Sequence, residues 1–240
     1  RDGAQHWEEE YMAFMHDLGF ISGSSTPCIF HHPGRQLRAV VHGDDFTILG
    51  YEEELDWFRN RIQKKYEVKI AARLGPEPHD DKEVRVLNRI VSWNNEGIRY
   101  EADQRHAEII IRDLGLDQSN GVVTPCERED LGKEGNKLSS KDSTMYRALV
   151  ARANFLAQDR SDILFTVKEL SRKMSDPEDV DWICLKRLGR YLKDHPRVAI
   201  RYDYQDPSTE INGYTDTDWA GCRRTRRSTS GGSCSSATIS

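Results

Sequence analysis

Val40-Val41-His42-Gly43-Asp44-Asp45-Phe46-Thr47-Ile48-Leu49 places two adjacent carboxylates between two short apolar runs. Apolar stretches on either side of a Gly-Asp pair predict a β-hairpin with the acids at its tip. Like charges side by side are unfavourable unless a cation neutralises them. Such a tip suits nucleotidyl transfer, in which two Mg²⁺ ions about 4 Å apart activate the attacking oxygen and stabilise the leaving one. Neighbouring side chains on a strand point to opposite faces, so one of the pair is the expected direct ligand. The same residues also suit an ordinary turn, because Gly and Asp both tolerate turn backbone.

Outward from the tip, Leu37 to Val41 and Cys28-Ile29-Phe30 are separated by His31-His32-Pro33-Gly34, which predicts a hairpin entering the same sheet. The two histidines read as loop residues, with no third metal ligand nearby. Earlier in the chain, Trp7, Tyr11, Phe14 and Leu18 form one apolar helix face, and Gly19 ends it. After Gly50 a helix is expected with Glu52, Glu53 and Glu54 in its first turn and Lys64 and Lys65 in its last, matching the helix dipole. Leu55, Phe58 and Ile62 are its buried stripe. Pro76 and Pro78 mark a loop, and Val84 to Trp93 and Gly97 to Tyr100 predict a strand pair around Asn94-Asn95. Trp7, Trp57, Trp93 and Trp182 read as core anchors.

The second half is mainly helical. Ala107, Ile110, Ile111 and Leu114 define a helix that stops at Gly115, and the polar run Gly132 to Ser140 reads as a linker. Helices are expected over Met145 to Ala157 and Ser161 to Met174, the second with Asp162 at its cap. A third follows Asp176-Pro177, with Leu185, Leu188 and Leu192 on one face. Its other face carries Lys186, Arg190, Lys193 and, just past its end, Arg197. This stripe is either a phosphate-backbone contact or a solvated helix face. Val198 to Tyr204 and Glu210 to Tyr214 are strand-like, so a boundary is expected near residue 196.

The bulk properties narrow the class. The chain has 240 residues, 37% hydrophobic and 31% charged, with a net charge of -5. Any nucleic-acid contact must therefore come from local basic patches and not from a global field. The apolar runs fall far short of the roughly 20 residues that span a bilayer, so no membrane partner is expected. Five cysteines at 28, 126, 184, 222 and 234 show no C-x-x-C spacing, which argues against a zinc knuckle or a disulfide framework.

A second acidic motif is Gly213-Tyr214-Thr215-Asp216-Thr217-Asp218-Trp219-Ala220-Gly221, followed by Arg223-Arg224 and Arg226-Arg227. A carboxylate at the end of a first strand can hold a divalent metal for phosphodiester hydrolysis, with arginines to meet the phosphates. An Asx-turn followed by a solvated basic loop is the alternative.

Taken in order, these segments resemble the Pol polyprotein of copia-type retrotransposons, in which reverse transcriptase runs into RNase H. Trp7 to Gly19 is similar to the helix after the family's LYGLKQ turn, and Ser25-Thr26-Pro27-Cys28-Ile29-Phe30 to its DPCLF strand. His42-Gly43-Asp44-Asp45 stands where the family has YVDD. Tyr146 to Ile163 is similar to YRSLVGSLLYLTATRPDI, Leu170 to Ser175 to LSRFMS, and Arg187 to Lys193 to RILRYLK. Gly213 to Gly231 resembles GYSDADWAGDRDDRRSTSG, the most specific of these matches.

The resemblance implies an α+β fold: a partial reverse-transcriptase palm hairpin with a helical thumb and connection, followed by the first strands of an RNase H-like domain. The expected divisions are 1–120 for the palm remnant and thumb start, 121–196 for the helical thumb and connection, and 197–240 for the truncated RNase H-like part. It implies an RNA-directed DNA polymerase fused to a ribonuclease, with Asp44, Asp45 and Asp216 as catalytic, metal-binding carboxylates. Asp218 is given no metal. The implied cofactor is Mg²⁺, with Mn²⁺ as the alternative. The implied partners are RNA template, DNA primer, RNA–DNA hybrid, deoxynucleoside triphosphates and the rest of the Pol polyprotein. The implied location is a cytoplasmic virus-like particle with a nuclear phase. In the family the third polymerase carboxylate precedes the Arg1 position and the other RNase H acids follow Ser240, so this chain alone is expected to be inactive. His42-Gly43 also departs from the family's aromatic and apolar pair. The competing expectation is a domesticated or decayed, non-catalytic remnant that only binds nucleic acid. Leu87-Asn88-Arg89-Ile90 matches the family's LGI pattern only loosely.

Overall fold

The computed structural model of the chain describes residues 2–127, 134–206, 208–222 and 225–235. It is a mixed α+β protein in which, among those residues, six helices accompany antiparallel sheets. The chain divides into two compact units, Arg1–Ala71 and Ala72–Ser240. No described helix is long and apolar enough to cross a membrane.

The first unit is a four-stranded antiparallel sheet flanked by two helices. Its elements are α1 (Asp2–Asp17), β1 (Ile21–Ser22), β2 (Ile29–His32), β3 (Leu37–His42), β4 (Asp45–Leu49) and α2 (Glu52–Lys65), with the strands in sequence order. Strand β3 alternates strictly, with Leu37, Ala39 and Val41 buried and Arg38, Val40 and His42 exposed. Period-2 alternation turns one face of the strand inward. Those residues join Tyr11, Phe14 and Met15 of α1 and Phe58 and Ile62 of α2 in one core. Burying each such side chain contributes about 1.5–3 kcal/mol. The histidine pair belongs to β2 and not to a loop: His31 pairs with Arg38 and His32 with Leu37, and the turn is confined to residues 33–36. Packing explains the extension, because the His32 ring meets Phe20 and Trp57 edge-on.

The second unit carries a four-stranded antiparallel sheet, a helical bundle and a two-stranded ribbon. The sheet is β5 (Glu83–Val86), β6 (Arg89–Asn94), β7 (Gly97–Glu101) and β8 (Ala199–Asp203) in that order. The single strand expected over Val84 to Trp93 is broken at Leu87-Asn88, both with positive φ. Two such residues make a type I′ hairpin, and a β-branched run that looks continuous is folded back on itself. Strand β8 follows the boundary expected near 196, yet it is the edge partner of β7, with Tyr100 opposite Ile200.

The bundle consists of α3 (Arg105–Asp113), α4 (Ser140–Leu156), α5 (Ser161–Ser171) and α6 (Asp179–Asp194). Ile110, Tyr146, Val150, Ile163, Leu185, Leu188 and Leu192 are essentially without exposure and form its centre. Helix α4 starts at Ser140, earlier than expected, because Ser139 caps it by accepting from the Asp142 N–H. Gly132 and Lys133 of the expected linker lie outside the described residues. Asp162 does not cap α5 as expected; its carboxylate pairs with the Arg160 guanidinium at 2.7 and 2.9 Å. Gly189 lets α6 approach the end of α3, since a Cβ there would meet Leu116 Cδ1 at 2.6 Å. The ribbon is β9 (Asn212–Thr217) paired with β10 (Ser230–Ser235), so the Gly/Ser-rich stretch after Arg227 contains a strand.

Candidate active site

Strands β3 and β4 close through Gly43 and Asp44, with His42 opposite Asp45 and Val41 opposite Phe46. Gly43 has φ +62 and Asp44 is not among the positive-φ residues. Positive φ at only the first of two loop residues is the pattern of a type II′ hairpin turn, which favours Gly there. The turn is tethered: the Trp7 indole N–H of α1 donates to the Gly43 carbonyl at 2.7 Å. Trp7 also meets Phe46 and Tyr66 edge-on at 6.4 and 5.4 Å. It therefore joins α1 to the tip, a role that goes beyond the core anchor read from the sequence.

Both tip carboxylates are exposed. Asp44 is a turn residue, and Asp45 opens β4 on the side opposite Phe46 and Ile48, which pack into the core. The donor type suits a hard cation such as Mg²⁺. The number does not: among the described residues no group of three His, Cys, Asp or Glu side chains is placed to hold an ion. Among the described residues, the tip carboxylates stand without a third ligand of these types.

The second motif lies on the ribbon of the other unit. Asp216 is an exposed β9 residue whose directly opposite β10 residue is Gly231, which brings no side chain against its carboxylate. Asp218 has a local task, since its carboxylate accepts the Thr229 N–H and its own N–H donates to the Thr229 carbonyl. That pairing closes the ribbon loop. Arg223 and Arg224 lie outside the described residues; Arg226 and Arg227 are exposed.

The four expected nucleic-acid residues do not form one uniform stripe. Lys186 is exposed on α6. Arg190 Nε donates to the Asn120 carbonyl at 2.6 Å and Lys193 Nζ to the Ser119 carbonyl at 2.5 Å. Arg197 instead makes a bidentate pair with Glu101 at 2.8 and 2.7 Å. The Arg197 hydrogen bonds hold the Glu101 carboxyl below its ordinary pKa, against the opposing effect of burial.

Fold and tip together describe a mixed α+β protein with one unit whose antiparallel hairpin presents adjacent carboxylates and a second unit built on a helical bundle. No family model and no solved structure matches the chain. Its sequence is 36% identical over 229 residues to the retrovirus-related Pol polyprotein from transposon RE1 of Arabidopsis thaliana, covering 94% of this chain and 15% of that protein. It is 25% identical to the corresponding polyprotein from transposon RE2 of the same plant, over 90% of this chain and 14% of the relative. An uncharacterized mitochondrial protein of Arabidopsis thaliana is 29% identical over 53% of this chain and 52% of its own length. The chain is a stretch of copia-type transposon Pol polyprotein sequence, a small part of the length of the polyproteins it matches.

Proposed function

We propose that this chain supplies part of an RNA-directed DNA polymerase with a fused ribonuclease H. In this reading the β3–β4 hairpin is the palm hairpin, the helices of the second unit are the thumb and connection, and the β9–β10 ribbon opens the RNase H-like part. The observation that carries it is the tethered tip, where Gly43, held by Trp7, presents Asp44 and Asp45 to solvent at the end of a sheet with one buried face. Asp44 and Asp45 are two of the carboxylates around a bound Mg²⁺ or Mn²⁺, and a further ligand comes from elsewhere in Pol. Ions held there with that further ligand would supply activation of the primer hydroxyl and charge compensation for the transferring phosphate. The protein's own part is to hold both carboxylates at one rigid point. Asp216 serves the same purpose for hydrolysis of an RNA–DNA hybrid. Primer, RNA template and deoxynucleoside triphosphates are the substrates, in the particle and nuclear setting implied by the family.

The test is primer extension on an RNA template by a Pol polypeptide that contains this chain. Asp44→Asn and Asp45→Asn should each lower extension by two orders of magnitude or more, while the fold is retained. Full extension by both variants would reject the reading. A second reading, a decayed element that binds nucleic acid without catalysis, draws on two observations. Only two carboxylates meet at the tip among the described residues, and His42-Gly43 replaces bulkier neighbours. Hybrid binding with no extension by the unmutated polypeptide would favour it.

A further inference from the structure

Apolar burial does not hold the β9–β10 ribbon in place. Every β9 residue is exposed, as is every β10 residue except the half-buried Ser235. Neither apolar core includes a ribbon residue among those described. Residues 204–211, which lead from β8 into the ribbon, contain no helix or strand among the described residues. A segment with few buried apolar contacts opens at low free-energy cost unless other bonds restrain it.

Two hydrogen bonds from the end of α5 supply the restraint. Lys168 Nζ donates to Thr229 Oγ1 at 2.8 Å, and the Arg172 guanidinium donates to Cys222 Sγ at 3.1 Å. The two cations are one helical turn apart, so they share a face. Glu169 steadies both, pairing with Lys168 at 2.6 Å and with Arg172 at 3.3 Å. The Lys168 ammonium also stands 4.7 Å over the Phe165 ring. Both long side chains are thus oriented from their own helix, which reduces the entropy lost when they grip the ribbon.

On the ribbon side, the acceptors belong to the residues that close its loop. The Thr229 N–H donates to the Asp218 carboxylate, and the Thr229 carbonyl accepts from the Asp218 N–H and the Thr217 hydroxyl. The Cys222 N–H donates to the Arg227 carbonyl at 3.1 Å, and its carbonyl accepts the Arg226 N–H at 2.8 Å. Thr217 lies opposite Ser230, and Asp216 opposite Gly231, in the next rungs of the ladder. A hold on Thr229 is therefore passed through Thr217 to Asp216.

We propose that Lys168 and Arg172 form a two-point clasp that seats the ribbon on α5, and that they are positioning residues for Asp216. The proposal rests on the ribonuclease role read for Asp216 above and adds what fixes that carboxylate against the bundle. A hydrogen bond of ordinary net strength shifts an equilibrium about fivefold, so two together favour the seated ribbon by about 25-fold. The released ribbon is then a minor state of about a few per cent, within the range that a conformational equilibrium can exploit. Both bonds also cross the boundary expected near residue 196, so the clasp joins the helical part to the segment that follows it.

The test is amide NMR relaxation of the full chain. In the unmutated chain the β9 and β10 amides should tumble with those of α4, α5 and α6. In the Lys168→Ala, Arg172→Ala double variant they should move faster than the bundle, while the cross-strand contact of Asp216 with Gly231 persists. Thr229→Val combined with Cys222→Ala cuts the clasp from the ribbon side and should have the same effect, which separates release from damage to α5. A ribbon that still tumbles with the bundle in both double variants would overturn the clasp. In a Pol polypeptide that contains this chain, either double variant should spread the positions at which an RNA–DNA hybrid is cut. Unchanged cut positions with a released ribbon would overturn the positioning role. Full cleavage by Asp216→Asn would overturn the ribonuclease reading, and the positioning role with it, while the relaxation result decides the clasp separately.

Discussion

Arg160 is the most buried charged side chain described, with 2% exposure, and its surroundings explain why a cation is tolerated there. Its fork grips Asp162, and it also donates to the carbonyls of His195 at 3.0 Å and Pro196 at 3.5 Å, just past the end of α6. Tyr191 adds a hydroxyl donor to Asp162 at 3.0 Å. One side chain thus joins the start of α5 to the end of α6. Removing one partner of a buried pair leaves an uncompensated charge, which costs about 3–5 kcal/mol. Asp162 is partly exposed, so Arg160→Met should cost toward the lower end of that range, checked by urea unfolding of the chain. A loss below about 1 kcal/mol, the size of a typical surface pair, would show that the network is dispensable. The Arg160-Ser161-Asp162 stretch was legible as a family-like motif, but its partners were not. They lie some 35 residues on, and no local periodicity reports that closure.

At the scale of elements, the acidic tip was legible because the hairpin depends on local rules: alternation on both sides and Gly at a turn position. Its tether to α1 depends on a long-range bond from Trp7, which no spacing reveals. The break in the strand expected over Val84 to Trp93 and the strand β10, for which no expectation was formed, have the same origin. Leu87-Asn88 has no Gly or Pro to mark a turn, and the Ser-rich β10 has few of the residues that favour strands. Gly43 carries a specific expectation. A residue with a Cβ pays roughly 1–2 kcal/mol for left-handed backbone, so Gly43→Val should destabilise the first unit by about that much. Trp7→Phe should cost about 1 kcal/mol through the lost hydrogen bond to Gly43. Both are measured as shifts in denaturant midpoint. A neutral Gly43→Val would indicate that the turn adopts another conformation. In α6, Gly189→Ala should overpack Leu114 and Leu116 and cost about 1–3 kcal/mol.

For the whole molecule, the net charge of -5 pointed to local basic patches but did not locate the cations that matter. Those are sorted by their partners: Glu101 and Asp162 take Arg197 and Arg160, and carbonyls take Arg190 and Lys193. The sorting has a pH consequence. Glu101 lies below its ordinary pKa chiefly through the Arg197 hydrogen bonds. Burial acts to raise Asp162, but Arg160 and Tyr191 outweigh it, so this group too ends below its ordinary value. Carboxyls depressed on folding contribute stability above their unfolded pKa values, near 4, and lose it as pH falls through the folded values. Asp181 works the other way, because burial raises it, so its charge costs stability at neutral pH. The melting temperature should fall as the pH drops below about 4, and Glu101→Gln should flatten that decline.

The polymerase proposal is tested most directly by assaying two activities in one preparation of a Pol polypeptide that contains this chain. Asp45→Asn should abolish primer extension and leave hybrid cleavage intact, whereas Asp216→Asn should do the reverse. Loss of neither activity, or loss of both activities together in each folded variant, would contradict two separate carboxylate sites at the hairpin tip and the ribbon.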